Sequence, residues 1–180
     1  MLITALAGLT LANISLASAA TGTTNVQGKS RVLVAYFSRS GNTRVITGVI
    51  HRSLNTDLFE IEPATPYPED YFQTVEQAKN ERERGVKPAL KNSVADIARY
   101  ETVYLGFPIW GTSVPPVVQA FLSNHNFAGK LLIPFITHGG YGKETATTSL
   151  PVSPQLRVGK NRWLLNATRS EEQLKRLPVG

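Results

Sequence analysis

At 180 residues, with 42% hydrophobic content, the chain can fill one good core, and a single domain is the default. The formal charge is +6. Its basic residues are spread along the chain (Arg82 and Arg84, Lys87 and Lys91, Lys160 and Arg162, Lys175 and Arg176) with no aromatic-interleaved run, so they do not read as a nucleic-acid surface. Cysteine is absent, which excludes disulfide, thiolate and iron–sulfur chemistry within this chain and leaves it indifferent to an oxidising compartment.

Met1 to Ala20 carries no charged side chain, and leucine and isoleucine recur among alanine and threonine. Ala17-Ser18-Ala19 then offers a small-x-small cleavage site. Residues 1–20 therefore read as a signal-peptide-like apolar segment, and export to the periplasm or medium is the expectation. The basic n-region is missing, which a start codon placed too far downstream would explain; a packed or membrane-resting helix is the alternative. A stable membrane span is not expected, because the run is at the short end and lacks anchoring charges. Residues 21–30 form a polar linker, and the folded domain is expected over 31–180.

The domain alternates strands and helices. Val32 to Phe37 is apolar on both faces, the pattern of a buried parallel strand. A helix follows with Val45, Ile46, Val49, Ile50 and Leu54 on one side. Thr56 to Ile61 reads as a second strand. Asp70 to Arg84 reads as a helix with Phe72, Val75 and Ala78 or Lys79 inward, terminated by Gly85. Thr102 to Phe107 is a third strand, and Pro115-Pro116 opens the next helix. Lys130 to Thr137 is a fourth strand, with a bulge or break expected at Pro134. Glu144 to Leu150 is weakly helical, Gln155 to Val158 a short fifth strand. Trp163, Ala167, Ser170, Leu174 and Leu177 fall on one helical stripe, with Asn161 as N-cap. The expected fold is a doubly wound α/β domain with a five-stranded parallel sheet in three αβα layers.

In such folds ligands sit beyond the C-terminal ends of the strands. Three loops lie there. The first is Ser38-Arg39-Ser40-Gly41-Asn42-Thr43, a hydroxyl-rich turn leading into a helix start. Its free N–H groups, hydroxyls and helix dipole suit a phosphate. It is neither a P-loop, lacking the Gly-Lys ending, nor a dinucleotide fingerprint, lacking two of the three glycines. The second is Pro108-Ile109-Trp110-Gly111-Thr112, and the third His138-Gly139-Gly140-Tyr141-Gly142. Trp110 and Tyr141 offer stacking faces to a flat ring, the glycines free backbone groups for its polar rim, and His138 a donor toward an edge where negative charge develops. Each has a plainer alternative: Trp110 as a core cap, His138 as a strand-end hydrogen bonder, the glycines as a turn. His51 and His125 read as solvated, and the three histidines are too scattered in sequence to suggest a metal site.

The runs FSRSGNT, GFPIWGTSVPP and ITHGGYG, in this order, resemble the flavodoxin-like family that binds flavin mononucleotide (FMN). The Tyr67-Pro68-Glu69-Asp70-Tyr71 loop and the Asn161-Arg162 tail are similar too, so the likeness spans about Arg31 to Leu177. It implies FMN as cofactor, with phosphate contacts at Ser38, Arg39, Ser40, Gly41, Asn42 and Thr43. The ring contacts would be Pro108, Ile109, Trp110, Gly111 and Thr112, then Gly139, Gly140, Tyr141 and Gly142. It implies an electron-transfer protein; an FMN-dependent NAD(P)H:quinone or nitro-compound reductase is the alternative, and a flavin-free binding module a third. Flavodoxins that act as soluble carriers are usually acidic. The basic charge departs from that and suggests an acidic redox partner. The short segment between Lys143 and Gln155 implies a reduced fourth helix. With few polar groups and no cation expected near N1 of the ring, the anionic hydroquinone is expected to be disfavoured, which lowers the second reduction potential and favours one-electron shuttling.

Overall fold

The computed structural model describes residues 30–139, 157–159 and 163–166. The signal-like segment, the linker up to residue 29, the expected fourth helix and the tail beyond residue 166 lie outside the described residues.

Four parallel strands form the body of the sheet: β1 (Val32–Tyr36), β2 (Asp57–Glu60), β3 (Thr102–Pro108) and β4 (Leu131–His138). Their order is β2-β1-β3-β4. The outer edge of β4 carries two short parallel segments, β5 (Arg157–Val158) against Leu131 and Leu132, and β6 (Trp163–Asn166) against Phe135 to His138. Six strands thus occupy five positions, all parallel, among the described residues. The sheet is wound with α1 (Asn42–Leu54), α2 (Tyr71–Glu83) and α3 (Pro116–Asn124).

β1 shows why the sheet is buried on both sides. Leu33, Ala35 and Phe37 join a large cluster with Val103, Leu105, Val117, Phe121 and Ile136 on one face. Val34 and Tyr36 meet Ile46, Ile50 and Phe135 on the other. Successive side chains of a strand point to opposite faces, so a strand between two helical layers must be apolar throughout. Gly106 of β3 is the tightest point: a Cβ built there would lie 2.1 Å from the Phe135 ring.

The helix boundaries follow local chemistry. Asp70 caps α2 by accepting the Gln73 N–H at 2.8 Å. At its far end the Gly85 N–H donates to the Arg82 carbonyl and the Val86 N–H to that of Glu81, the paired bonds of a Schellman motif, so Gly85 does end the helix. Pro115 precedes α3, and Pro116 occupies its first turn, where no N–H is needed.

Five expectations are corrected. Pro134 causes no break: β4 runs on through it, paired with Leu105 of β3. It falls in the gap between the β5 and β6 pairings, where no described residue pairs with the outer edge of β4 and a missing N–H costs least. Trp163 begins a strand, not a helix. The short apolar run Trp163-Leu164-Leu165 carries the buried-strand signal, which the wider helical stripe obscured. On α2, Phe72 is 78% exposed, and Val75 is exposed too; Thr74 and Ala78 face inward instead. Val45 of α1 is likewise exposed, and Thr43 and Thr47 share the buried face with Ile46 and Ile50. His125 is also not a solvated side chain. It is half-buried, accepts the Val94 N–H at Nε2 (3.0 Å) and lies 2.9 Å from the Phe121 carbonyl through Nδ1. That pair of partners selects the neutral tautomer protonated on Nδ1.

Tyr100 hydroxyl donates to Asp57 Oδ2 at 2.8 Å. Burial first, then the neighbouring Asp57 carboxylate, pushes the Tyr100 phenol up to about 12. The phenols of Tyr36, Tyr67 and Tyr104 are raised as well, chiefly by burial. Above a pH of about 10 the unfolded chain ionises tyrosines that the folded chain keeps protonated. The unfolded state then binds fewer protons, and stability falls as pH rises. Urea unfolding should show stability that declines between about pH 10 and 12. Tyr100→Phe should make that decline shallower; an unchanged slope would assign it to the other phenols.

Candidate functional site

The strand order reverses between β1 and β3, and the crevice at their C-terminal ends is where the loops gather. Hydrogen bonds fasten the strand ends together. The Phe37 N–H donates to the Gly106 carbonyl and the Ile109 N–H to that of Thr137, both at 2.9 Å. Beyond them opens a cavity of about 390 Å³.

The first loop enters α1 through Gly41, whose φ of +90° puts it in the left-handed region. No atom lies within 4 Å of a Cβ built there, so the residue is selected by its backbone conformation and leaves the helix start open. Arg39, Ser40 and Asn42 line the cavity. Ser38 does not; its Oγ accepts the Arg44 N–H at 3.3 Å. Thr43 is buried, with its Oγ1 2.9 Å from that of Thr137. Its side chain therefore fastens α1 to β4. Arg39 reaches the Glu69 carbonyl at 2.6 Å and braces the loop against the entry to α2.

In the second loop Pro108, Ile109, Trp110 and Gly111 line the cavity. Trp110 and Ser113 exchange both backbone hydrogen bonds, at 3.1 and 3.2 Å, around Gly111 and Thr112, whose φ values are +57° and +65°. Positive φ at both central residues marks a type I′ turn. Glycine meets that requirement freely, whereas β-branched Thr112 is strained in it. Thr112 forms the turn and does not line the cavity. Trp110 is half-buried and packs edge-on against Phe37 (5.1 Å, 82°) and Tyr67 (4.8 Å, 80°). It both covers the core and forms cavity wall, so the two readings of this residue are compatible. Tyr67 is held in turn by donating to Glu81 Oε2 at 2.8 Å.

Of the third loop, His138 and Gly139 line the cavity, and His138 is buried at the end of β4. Gly140, Tyr141 and Gly142 lie outside the described residues.

One wall is absent from the sequence reading: Tyr71, Thr74, Val75, Ala78, Lys79 and Arg82 of α2, with Thr137 at the end of β4. The α2 positions recur at helical spacing, a signal that was visible but indistinguishable from a core stripe. The wall also brings to the cavity cations that the ring-loop residues themselves do not supply. Lys79 and Arg82 stand on it, and the Arg82 guanidinium lies against the Gly111 turn.

The sequence model of the flavodoxin family matches residues 31–178. The chain belongs to the flavodoxin family. Solved structures agree. A Bacteroides uniformis protein named as a candidate flavoprotein is 33% identical, with 81% of this chain and 95% of that one covered and a TM-score of 0.72. One from Bacteroides eggerthii is 29% identical, covers 83% and 98%, and has a TM-score of 0.68. A Lactobacillus acidophilus flavoprotein in complex with FMN shares the fold at 18% identity, covering 80% and 97%, with a TM-score of 0.65. No curated protein matches significantly. In this flavodoxin-family chain the cavity has the parts a phosphorylated aromatic ligand needs: an open helix start, a tryptophan wall, and a buried imidazole at the strand end.

Proposed function

We propose that this chain binds FMN in the cavity at the strand ends and carries electrons on it. One observation carries the reading: residues from all three loops singled out by sequence line a single cavity together with the open start of α1. The FMN-bound flavoprotein of the same fold and the flavodoxin family membership support it. FMN supplies the redox chemistry; the protein binds, orients and tunes it. The N–H groups at the start of α1, with Ser40 and Asn42, would hold the phosphate. Trp110 and the Gly111 turn would meet the ring on one side. Gly139, with Gly140, Tyr141 and Gly142 following it, would meet the other, and His138 would donate toward its polar edge.

The basic overall charge favours an acidic redox partner. Export remains part of the proposal, resting on the uncharged run from Met1 to Ala20. N-terminal sequencing of protein recovered from the host's cell fractions tests it: a mature start near residue 20 outside the cytoplasm supports export, and an intact Met1 inside it overturns it.

Carrier and reductase share the FMN site and part on turnover. The FMN-loaded protein is mixed with NAD(P)H and a quinone, with no other enzyme added. Slow, substoichiometric oxidation is the result for a carrier, and rapid multiple turnover would assign a reductase.

A further inference from the structure

We infer that Arg82 of α2 tunes the bound flavin by favouring its reduced form over its oxidised form, relative to the same site without that cation. The inference rests on FMN occupying the cavity. Arg39, Lys79 and Arg82 line that cavity, and among the described residues no aspartate or glutamate does. The three cations are not equivalent. Arg39 belongs to the phosphate loop and is engaged by the Glu69 carbonyl. Lys79 has Glu83 at 3.8 Å, both largely exposed. Arg82 has no acidic partner among the described residues, and its guanidinium sits on the ring loop. A Cβ built at Gly111 would lie 3.2 Å from each of its two terminal nitrogens. Its backbone is fixed too, because its carbonyl accepts the Gly85 N–H where α2 ends.

A ring seated on the Gly111 turn therefore has an uncompensated cation beside it. Full reduction adds two electrons and one proton and leaves the ring system with one more negative charge. A fixed cation attracts that added charge and has little hold on the neutral oxidised ring. Selective binding of one redox state shifts the equilibrium by the ratio of the two affinities. Arg82 should thus raise the potential of the bound flavin, a contribution opposite in sign to what the ring-loop residues alone imply.

The test is the midpoint potential of FMN on the full-length protein, equilibrated with a redox dye as dithionite, oxidised to sulfite, supplies the electrons. The affinity for oxidised FMN is titrated separately. Arg82→Gln should weaken the binding of oxidised FMN less than that of reduced FMN. It should weaken the preference for the reduced form about tenfold, which is about 30 mV for a two-electron couple. Arg82→Lys should keep most of the wild-type potential, and high salt should shrink the difference between wild type and Arg82→Gln, because Arg82 is exposed. An unchanged potential in Arg82→Gln with FMN still bound overturns the inference while leaving the cofactor reading intact. Equal loss of both redox forms also overturns it, by making Arg82 a simple contact. A wild-type protein that binds no FMN removes the cofactor reading, and the inference with it.

Discussion

Ser40→Glu should abolish tight FMN binding while leaving riboflavin binding nearly unchanged. Ser40 is exposed at the mouth of α1, within 3.4 Å of Asn42 Nδ2, and it lines the cavity. A carboxylate there would face the phosphate in the space that the helix dipole and free N–H groups make favourable for an anion. Two like charges about 4 Å apart repel by about 1 kcal/mol in bulk water and about 4 kcal/mol near a protein surface, and a doubly charged phosphate feels more. A loss on the order of 100-fold, about 2.8 kcal/mol, is expected for FMN. Riboflavin lacks the phosphate and should change by less than about threefold. Because the side chain is exposed, the thermal midpoint of the apoprotein should hold. Equal losses for the two ligands would show that this loop does not hold phosphate. The substitution avoids Thr43, whose hydroxyl is engaged by Thr137 and whose loss would disturb packing as well.

Gly106→Val should give the largest stability loss. The smallest side chain already places a carbon within 2.1 to 2.9 Å of three atoms of the Phe135 ring, a fully buried side chain flanked by Val34, Ile46 and Ile50. Overpacking of this kind costs about 3 kcal/mol or more, equivalent to a fall of roughly 6–12 °C in Tm for a domain of this size. The effect should reach the cavity. β3 carries Gly106 and leads into the Trp110 turn, and β4 carries Phe135 and ends at His138. Pairing Gly106→Val with Phe135→Leu should recover part of the loss, because the two residues share one space and their effects should not add. A Gly106→Val protein as stable as wild type would mean that the sheet can shift there at no cost.

Much of the site was readable because it depends on local chemistry. A both-face apolar run such as Val32 to Phe37 has few homes besides a buried parallel strand. A glycine among hydroxyl residues before a helix marks an open N-terminus. The loops after β1, β3 and β4 then share an edge by topology alone. What escaped depends on tertiary neighbours. Tyr71, Val75, Lys79 and Arg82 repeat at helical spacing, and nothing in that spacing says whether the stripe meets a core or a cavity. Phe72 is apolar yet faces solvent, since hydrophobicity does not by itself specify burial. Pro134 goes against the rule for central strands, and only the split edge of β5 and β6 shows why β4 tolerates it. The contact of Thr43 with Thr137, which ties α1 to β4, joins residues distant in sequence and is invisible to local pattern.

The most direct measurement is a paired titration of the purified full-length protein with FMN and with riboflavin, followed by visible absorption and tryptophan fluorescence. The expected result is one FMN bound per chain, a perturbed flavin spectrum, quenched tryptophan emission, and affinity at least 100-fold above that for riboflavin, a gap of about 2.8 kcal/mol for the phosphate alone. Equal affinity for the two ligands, or no spectral change with either, would contradict a phosphate seat at the start of α1 and with it the assignment of the cavity.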